Sequence, residues 1–149
     1  MSYLSLVVFL VIVLAAAASG AYFSPGEWYS GLHKPSWTPP DRLFPIAWSV
    51  LYIMIALAGW LVWRVDSMHP AMFLWAVQLV LNAAWSWLFF GRHDMVAALV
   101  DIGALGLSIA AFIVAALPIS PLASALFVPY LLWVGFAAAL NYRVWQLNA

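Results

Sequence analysis

Few residues of this sequence belong to the types that usually carry out chemistry, and they are scattered. The chain has no cysteine, which excludes disulfides, thiolate metal sites and cysteine nucleophiles. His33, His69 and His93 lie far apart and never show the i, i+4 spacing of metal ligands on a helix. No acid/base pair or nucleophile triad is recognisable either. We therefore predict neither a metal site nor a catalytic residue.

Asp101 is the one acidic residue deep inside an apolar segment. A carboxylate within a membrane is a candidate for proton relay or for a cation path. Because no second acid or basic partner accompanies it, a structural role is favoured, in which it is protonated or bonded to a nearby hydroxyl, indole or amide. We expect the residue to lie at a helix contact with its carboxylate hydrogen-bonded.

Aromatic and amide side chains recur at helical spacing, and the chain has ten tryptophans in 149 residues. The stripes are Trp48 and Tyr52; Gln78, Asn82, Trp85 and Phe89; and Tyr130, Trp133, Ala137 and Asn141. Polar groups facing lipid are costly, so the stripes should face inward. Aromatic-lined cavities with a few polar groups are typical ligand sites, and a flat apolar ligand would suit them. The alternative is that the amides only hydrogen-bond across helices as packing contacts.

Other tryptophans lie near the ends of apolar segments. Tryptophan is enriched where a membrane meets water, so we assign these to interfacial belts. They are Trp60, Trp63, Trp75 and Trp145.

The elements that carry these residues must be membrane helices. Hydrophobic residues make up 68% of the chain and charged residues 7%, against about 45–50% and about 25% in soluble domains. A bilayer needs about 20 apolar residues per helix. Five segments are long enough: Tyr3–Phe23, Phe44–Trp63, Pro70–Phe90, Met95–Leu117 and Pro121–Trp145. We predict an all-α integral membrane protein whose residues 1–149 form a single bundle of five transmembrane helices, with a kink at Pro129.

The first segment has one alternative interpretation. Leu4–Leu14 resembles the apolar part of a signal peptide, and Ala15–Ala21 offers small residues for cleavage. No basic residue precedes the apolar run, which continues into the small residues. We expect a spanning helix.

The connection 24–43 is rich in proline and in large aromatic residues, among them Trp28, Tyr29 and Trp37. Such a composition favours an ordered loop rather than a flexible linker. We predict that this loop is a lid over the bundle. The alternative is an interfacial anchor at the level of the lipid headgroups.

Small residues occur in two of the segments and permit close helix contact, either within the chain or in a dimer. They are Ala15, Ala16, Ser19 and Gly20 in the first segment, and Gly103, Gly106, Ala110 and Ala111 in the fourth.

Charge predicts orientation but no nucleic-acid partner. The net charge is zero, so the chain has no basic field for nucleic acid.

With five crossings, Lys34, Arg42, Arg92 and Arg143 share one side and Arg64 lies on the other. The positive-inside rule places the N-terminus outside and the long loop and the C-terminus in the cytoplasm. We expect a multi-pass protein of the bacterial cell membrane.

Several motifs together resemble the translocator protein family, also called the tryptophan-rich sensory protein family, over nearly the whole chain from Gly20 onward. Their order and spacing on five apolar segments carry the resemblance. They are Trp28–Pro40 (WYSGLHKPSWTPP), Pro45–Tyr52 (PIAWSVLY), Gln78–Trp85 (QLVLNAAW), Phe89–Gly91 (FFG), Ala98–Asp101 (ALVD), Phe127–Trp133 (FVPYLLW) and Leu140–Trp145 (LNYRVW).

The resemblance implies a five-helix homodimer and a membrane receptor or sensor with a cavity under the first loop. Its expected ligands are tetrapyrroles such as protoporphyrin and heme, together with sterols and synthetic benzodiazepine-type ligands; no cofactor is required. Carried over to this sequence, the ligand site comprises Trp48, Tyr52, Asn82, Trp85, Phe89, Trp133 and Ala137, closed by Trp28, Tyr29 and Trp37.

The resemblance leaves other functions open. Some relatives are associated with light- and oxygen-dependent breakdown of protoporphyrin, so an enzyme is the second class. A transporter is the third, although the internal repeats and broken helices of many transporters are not evident. The sterol motif of animal relatives is incomplete, because Tyr142 is followed at once by Arg143 without a spacer.

Overall fold

The computed structural model describes residues 3–149, so residues 1 and 2 of the predicted domain lie outside the described part. This part is helical and contains no strand. The helices are α1 (Leu4–Tyr22), α2 (Glu27–Ser30), α3 (Leu43–Val65), α4 (Pro70–Ser86), α5 (Met95–Ala116) and α6 (Pro121–Asn148). A π-helical turn, Trp87–Gly91, extends α4.

Five of these helices are long and apolar enough to cross a membrane. The predicted segments match them within a few residues, and the largest differences are at α6, which runs to Asn148, and at α4, which changes to π-helical winding at Trp87. α6 continues through Pro129 as one helix. The fold is therefore the predicted multi-pass helical membrane bundle.

Polar side chains and prolines determine where three of the spanning helices begin. His69 Nδ1 accepts a hydrogen bond from the Ala71 amide at 3.1 Å, and Pro70 occupies the first turn of α4. The Asp94 carboxylate accepts from the Ala97 amide at 2.9 Å at the start of α5. Ser120 has the same role for α6, ahead of Pro121. These caps satisfy amides that have no partner within the helix.

The spanning helices form a closed ring. Going around it, α1 packs on α3, α3 on α6, α6 on α5, α5 on α4, and α4 on α1. α3 and α4 also touch across the ring. Side chains from α1, α3 and α4 can therefore meet on one side of the bundle.

The belt assignment is wrong for Trp75 and Trp60, which are buried with 4% and 7% of their surface exposed. The Trp75 indole donates to the Ile55 carbonyl at 2.9 Å and packs on Gly59, where a Cβ would lie 2.5 Å from Trp75 Nε1. The Trp60 indole donates to Ser5 Oγ at 2.8 Å. Position along an apolar segment indicates depth in the membrane, but it does not indicate which way a ring points.

Candidate functional site

The main cavity has a volume of about 610 Å³ and lies between α1, the first half of α3, the end of α4 and the ends of the long loop. This volume is within the range of small-molecule sites, about 300–1,000 Å³. The lining is mostly apolar. It consists of Ala17, Gly20, Ala21, Phe23, Ser24, Pro25, Asp41, Arg42, Phe44, Pro45, Trp48, Ser49, Tyr52, Trp85, Ser86 and Phe90.

Aromatic rings form one wall of this cavity. The rings of Trp48 and Tyr52, one turn apart on α3, stack with centroids 5.7 Å apart. Trp85 lines the cavity from α4, and its indole donates to Asn141 Oδ1 at 3.1 Å, which fixes the ring. Three residues of the predicted site therefore meet in one cavity.

Small residues of α1 form the facing wall. Ala17, Gly20 and Ala21 line it, and sequence reasoning did not include α1 in the site. Ser19, read from the sequence as a packing residue, contacts α4, because its hydroxyl donates to the Ala83 carbonyl at 2.9 Å. The signal that could have revealed this wall is the run of small residues at the end of the first apolar segment.

Two hydroxyl groups border the cavity beside Gly20. A Cβ at Gly20 would lie 3.6 Å from Ser86 Oγ and 3.8 Å from Tyr52 Oη. Both hydroxyls therefore lie next to Gly20, and all three residues line the cavity. They are two of the polar groups in a mostly apolar lining.

A chain of hydrogen bonds runs inward from Tyr52. Its hydroxyl donates to Asn82 Oδ1 at 2.9 Å, and Asn82 Nδ2 donates to Tyr130 Oη at 2.8 Å. The Tyr130 hydroxyl donates to Gln78 Oε1 at 2.7 Å, and Gln78 Nε2 donates to the Trp75 carbonyl at 2.7 Å. Asn82 therefore lies behind the cavity wall, and both its amide oxygen and its amide nitrogen are hydrogen-bonded to tyrosines.

Other residues of the predicted site lie outside the main cavity. Trp133 contacts the lining residues Phe44 and Trp48 from behind, at centroid distances of 6.0 and 6.3 Å. Phe89 and Ala137 border a separate gap of about 10 Å³, which is about the space of one water molecule. That gap shares Phe44, Trp85 and Phe90 with the main cavity.

The long loop is ordered and held against the bundle at two places. Tyr29, on the short helix α2, is 2% exposed and contacts Phe89 and Phe90. Trp28 stacks on His93 with ring centroids 4.0 Å apart. Farther along, His33 and Asn148 exchange two hydrogen bonds, of 3.0 and 2.8 Å, which join the loop to the end of α6.

The loop aromatics do not line the main cavity. Trp37 is 45% exposed and contacts Phe136 of α6. The parts of the loop that border the cavity are its two ends, at Ser24 and Pro25 and at Asp41 and Arg42. Trp28 and Tyr29 instead fix the middle of the loop on the bundle.

Tyr29 also has an unusual electrostatic environment. Burial raises the pKa of its hydroxyl to about 12, and the negative charge of Asp41 adds to the effect. Its Oη is buried without a hydrogen-bond partner. The ring therefore contributes apolar contact, and its hydroxyl contributes no hydrogen bond to the loop.

Asp101 is buried in α5, as expected for a helix contact. The expected hydrogen bonding of its carboxylate is not found for Oδ2, which is buried without a partner. Among residues 3–149, no group of three or more possible metal ligands occurs.

These features define an integral membrane protein of five spanning helices with a ligand-sized, aromatic-walled cavity on one side of the bundle. The chain matches the TspO/MBR family over residues 7–146. It is 41% identical to Protein CrtK of Rhodobacter capsulatus over 99% of this chain and 95% of the relative. It is also 41% identical to the tryptophan-rich protein TspO of Chlorobaculum tepidum, over 97% of this chain and 96% of the relative. The human translocator protein is 40% identical over 87% of this chain and 81% of its own length.

Matches of this extent show that the chain belongs to the TspO/MBR family, as the motifs of the sequence indicated.

Proposed function

We propose that this chain is a membrane receptor that binds flat hydrophobic ligands, chiefly tetrapyrroles such as protoporphyrin and heme, in the cavity between α1, α3 and α4. The observation that carries the proposal is the cavity of about 610 Å³ bordered by Trp48, Tyr52 and Trp85. Burial of apolar ligand surface provides the main driving force, and aromatic pairs add about 0.5–1.5 kcal/mol each.

The names of the relatives support a sensory role. The family includes proteins named tryptophan-rich sensory protein and translocator protein. The resemblance noted in the sequence associates such proteins with tetrapyrroles. The geometry of this chain is compatible with a flat ligand, because the small residues of α1 face the aromatic wall of α3.

A receptor must pass the presence of its ligand to a partner, and the long loop is suited to this. Both of its ends border the cavity, and its middle is fixed on α6 through His33 and Asn148. A ligand that displaces Pro25 or Arg42 therefore strains a loop held at its centre. We propose that this change in the loop is the signal that a partner detects.

Titration of the purified protein in lipid nanodiscs with protoporphyrin in the dark, read by tryptophan quenching, tests the proposal. We expect Trp48→Ala to weaken binding by about tenfold, which corresponds to about 1.4 kcal/mol of lost ring contact. Trp145→Ala is the matched control, because Trp145 lies near the end of α6, away from the cavity, and should change affinity less than about twofold. Equal losses in both variants would place the ligand elsewhere.

Light-dependent breakdown of the porphyrin is a second candidate, favoured by the rings around Trp48. Trp133, Tyr52 and Tyr130 all lie within 6.3 Å of it, centroid to centroid. Such rings can donate electrons to an excited pigment. Repeating the titration in light with oxygen separates the two functions. Breakdown by the protein should reduce porphyrin absorbance faster than in empty nanodiscs, where only spontaneous photobleaching occurs, and Trp48→Phe should slow that loss.

We further propose that the chain works as a homodimer in the bacterial cell membrane. The exposed residue Gly135 of α6 has open space around it and would permit close contact with a second copy. Light scattering of the nanodisc-embedded protein measures the number of copies. A single copy per particle at all loading ratios would contradict the dimer.

A further inference from the structure

Tyr52 is one of the polar residues that line the cavity, and the hydrogen-bonding character of its hydroxyl is fixed from inside the protein. Gln78 is 0% exposed, and its amide nitrogen lies 2.7 Å from the Trp75 carbonyl oxygen. A carbonyl can only accept a hydrogen bond. The NH₂ group of Gln78 must therefore point at Trp75, because the reverse orientation would place two oxygen atoms against each other.

This orientation determines every other bond in the chain. Gln78 Oε1 can only accept, so the proton of Tyr130 points at Gln78. Tyr130 Oη then has only lone pairs left for Asn82, which must present its NH₂ group. Asn82 Oδ1 consequently faces Tyr52 and takes its proton.

The consequence appears at the cavity wall. Tyr52 has one proton, and Asn82 holds it at 2.9 Å inside the protein. Toward Gly20 and the cavity, the Tyr52 oxygen presents lone pairs only. Four hydrogen bonds through α3, α4 and α6 thus turn a group that could donate or accept into a fixed acceptor.

We propose that the cavity selects flat aromatic ligands that carry an N–H or O–H donor at the edge that reaches Tyr52. This inference rests on the proposed ligand site and names its chemical selectivity. A ligand carbonyl or carboxylate at the same place would set its lone pairs against those of Tyr52. The carboxylates of a porphyrin therefore point away from Tyr52, toward the loop end, where Arg42 supplies donors.

The neighbouring Ser86 has a hydroxyl that can rotate and serve either kind of ligand. The test is therefore made in a Ser86→Ala background. Three rigid tricyclic probes of nearly equal shape differ only at the central bridge: carbazole has an N–H donor, fluorene has a methylene, and fluorenone has a carbonyl acceptor. Calorimetric titration of nanodiscs, with empty nanodiscs subtracted, measures the affinity of each probe.

With Tyr52 and Asn82 intact, we expect carbazole to bind about three- to tenfold more tightly than fluorene, the range of a typical net hydrogen bond. Tyr52→Phe should leave the ratio of the fluorenone and fluorene affinities unchanged, because Tyr52 offers the carbonyl no donor. Tyr52→Phe removes the acceptor and should bring carbazole and fluorene within about twofold. Tyr142→Phe is the matched control: it removes an exposed phenol outside the cavity and should leave the ratio unchanged.

The decisive variant is Asn82→Leu, which removes the internal acceptor and leaves Tyr52 in place. The Tyr52 hydroxyl can then donate into the cavity. The affinity of fluorenone should therefore rise about threefold or more relative to that of fluorene. A purely structural role of Asn82 would weaken all three probes alike. If Asn82→Leu does not fold, as judged by thermal unfolding, Tyr52→Phe still decides the question through the carbazole ratio.

The outcomes also separate this inference from the proposed function. With Asn82 intact, a preference for fluorenone over fluorene that Tyr52→Phe abolishes would overturn the fixed-acceptor assignment, as would equal affinities for carbazole and fluorene. Either result, with protoporphyrin binding that depends on Trp48, leaves the ligand site standing. If neither protoporphyrin nor any tricyclic probe binds, the site itself is wrong and the inference fails with it.

Discussion

Tyr29 shows how one buried ring can hold a loop while its polar group contributes nothing to stability. Its ring contacts Phe89 and Phe90, and its Oη has no partner. A buried polar group without a partner costs about 1–3 kcal/mol. Lys34, whose ammonium group lies 4.7 Å from the ring centre and donates to the Tyr29 carbonyl, needs the ring and the backbone but not the hydroxyl.

We therefore expect Tyr29→Phe to leave thermal stability unchanged or higher at neutral pH. The pKa of Tyr29 is raised in the folded protein to about 12 from 10.0. The unfolded chain thus loses this proton first, near pH 10.0, while the folded chain keeps it to about pH 12, so the stability of the wild type falls as the pH rises through this window. Thermal unfolding across this window should show a steeper loss for the wild type than for Tyr29→Phe. If the stability of the wild type and of Tyr29→Phe fell identically between pH 10 and pH 12, the Tyr29 hydroxyl would be solvated in the folded protein.

At the scale of elements, the sequence predicted the spanning helices to within a few residues, because apolar length is a strong signal. It could not predict the π-helical turn Trp87–Gly91 or the short helix α2, since elements of four or five residues leave no signal in apolar length. The stripes of α4 and α6 face inward, as their helical spacing predicted, but the spacing could not show which inward side chains line the cavity. Asn82 and Tyr52 belong to predicted stripes, yet Tyr52 lines the cavity and Asn82 lies behind it, and the facing wall of Ala17, Gly20 and Ala21 carries no aromatic signal.

The π-helical turn ends at Gly91, which positions one cavity residue. A Cβ at Gly91 would lie 2.7 Å from Phe23 Cδ1, and Phe23 lines the cavity where α1 ends. Gly91→Ala should displace this ring, lower stability by about 1–3 kcal/mol through overpacking and weaken protoporphyrin binding. Thermal unfolding and the quenching titration measure the two effects.

Gly103→Ala is the control for this substitution, because nothing lies within 4 Å of a Cβ at that position of α5. Alanine is also a better helix former than glycine, so the thermal stability of the Gly103→Ala protein should equal or exceed that of the wild type. A Gly91→Ala protein that melts and binds like Gly103→Ala would show that Phe23 moves freely and does not shape the cavity.

At the scale of the whole molecule, the five spanning helices place the two ends of the chain on opposite sides of the membrane. The cavity is bounded by the end of α1, the start of α3 and the end of α4, which all lie on the side of the long loop. The cavity therefore lies closer to the side of the membrane that carries the long loop. Orientation in the membrane thus decides which compartment lies nearer to the cavity.

The basic residues predict that this side is the cytoplasm, since four of five, Lys34, Arg42, Arg92 and Arg143, lie there. The chain has no cysteine, so single cysteines can report the topology directly. In intact cells, a membrane-impermeant maleimide should label Ser67→Cys, in the exposed turn between α3 and α4, and should leave Ser36→Cys in the long loop unlabelled until the membrane is permeabilised. The reverse labelling pattern would show that the long loop, and with it the nearer end of the cavity, lies outside the cell.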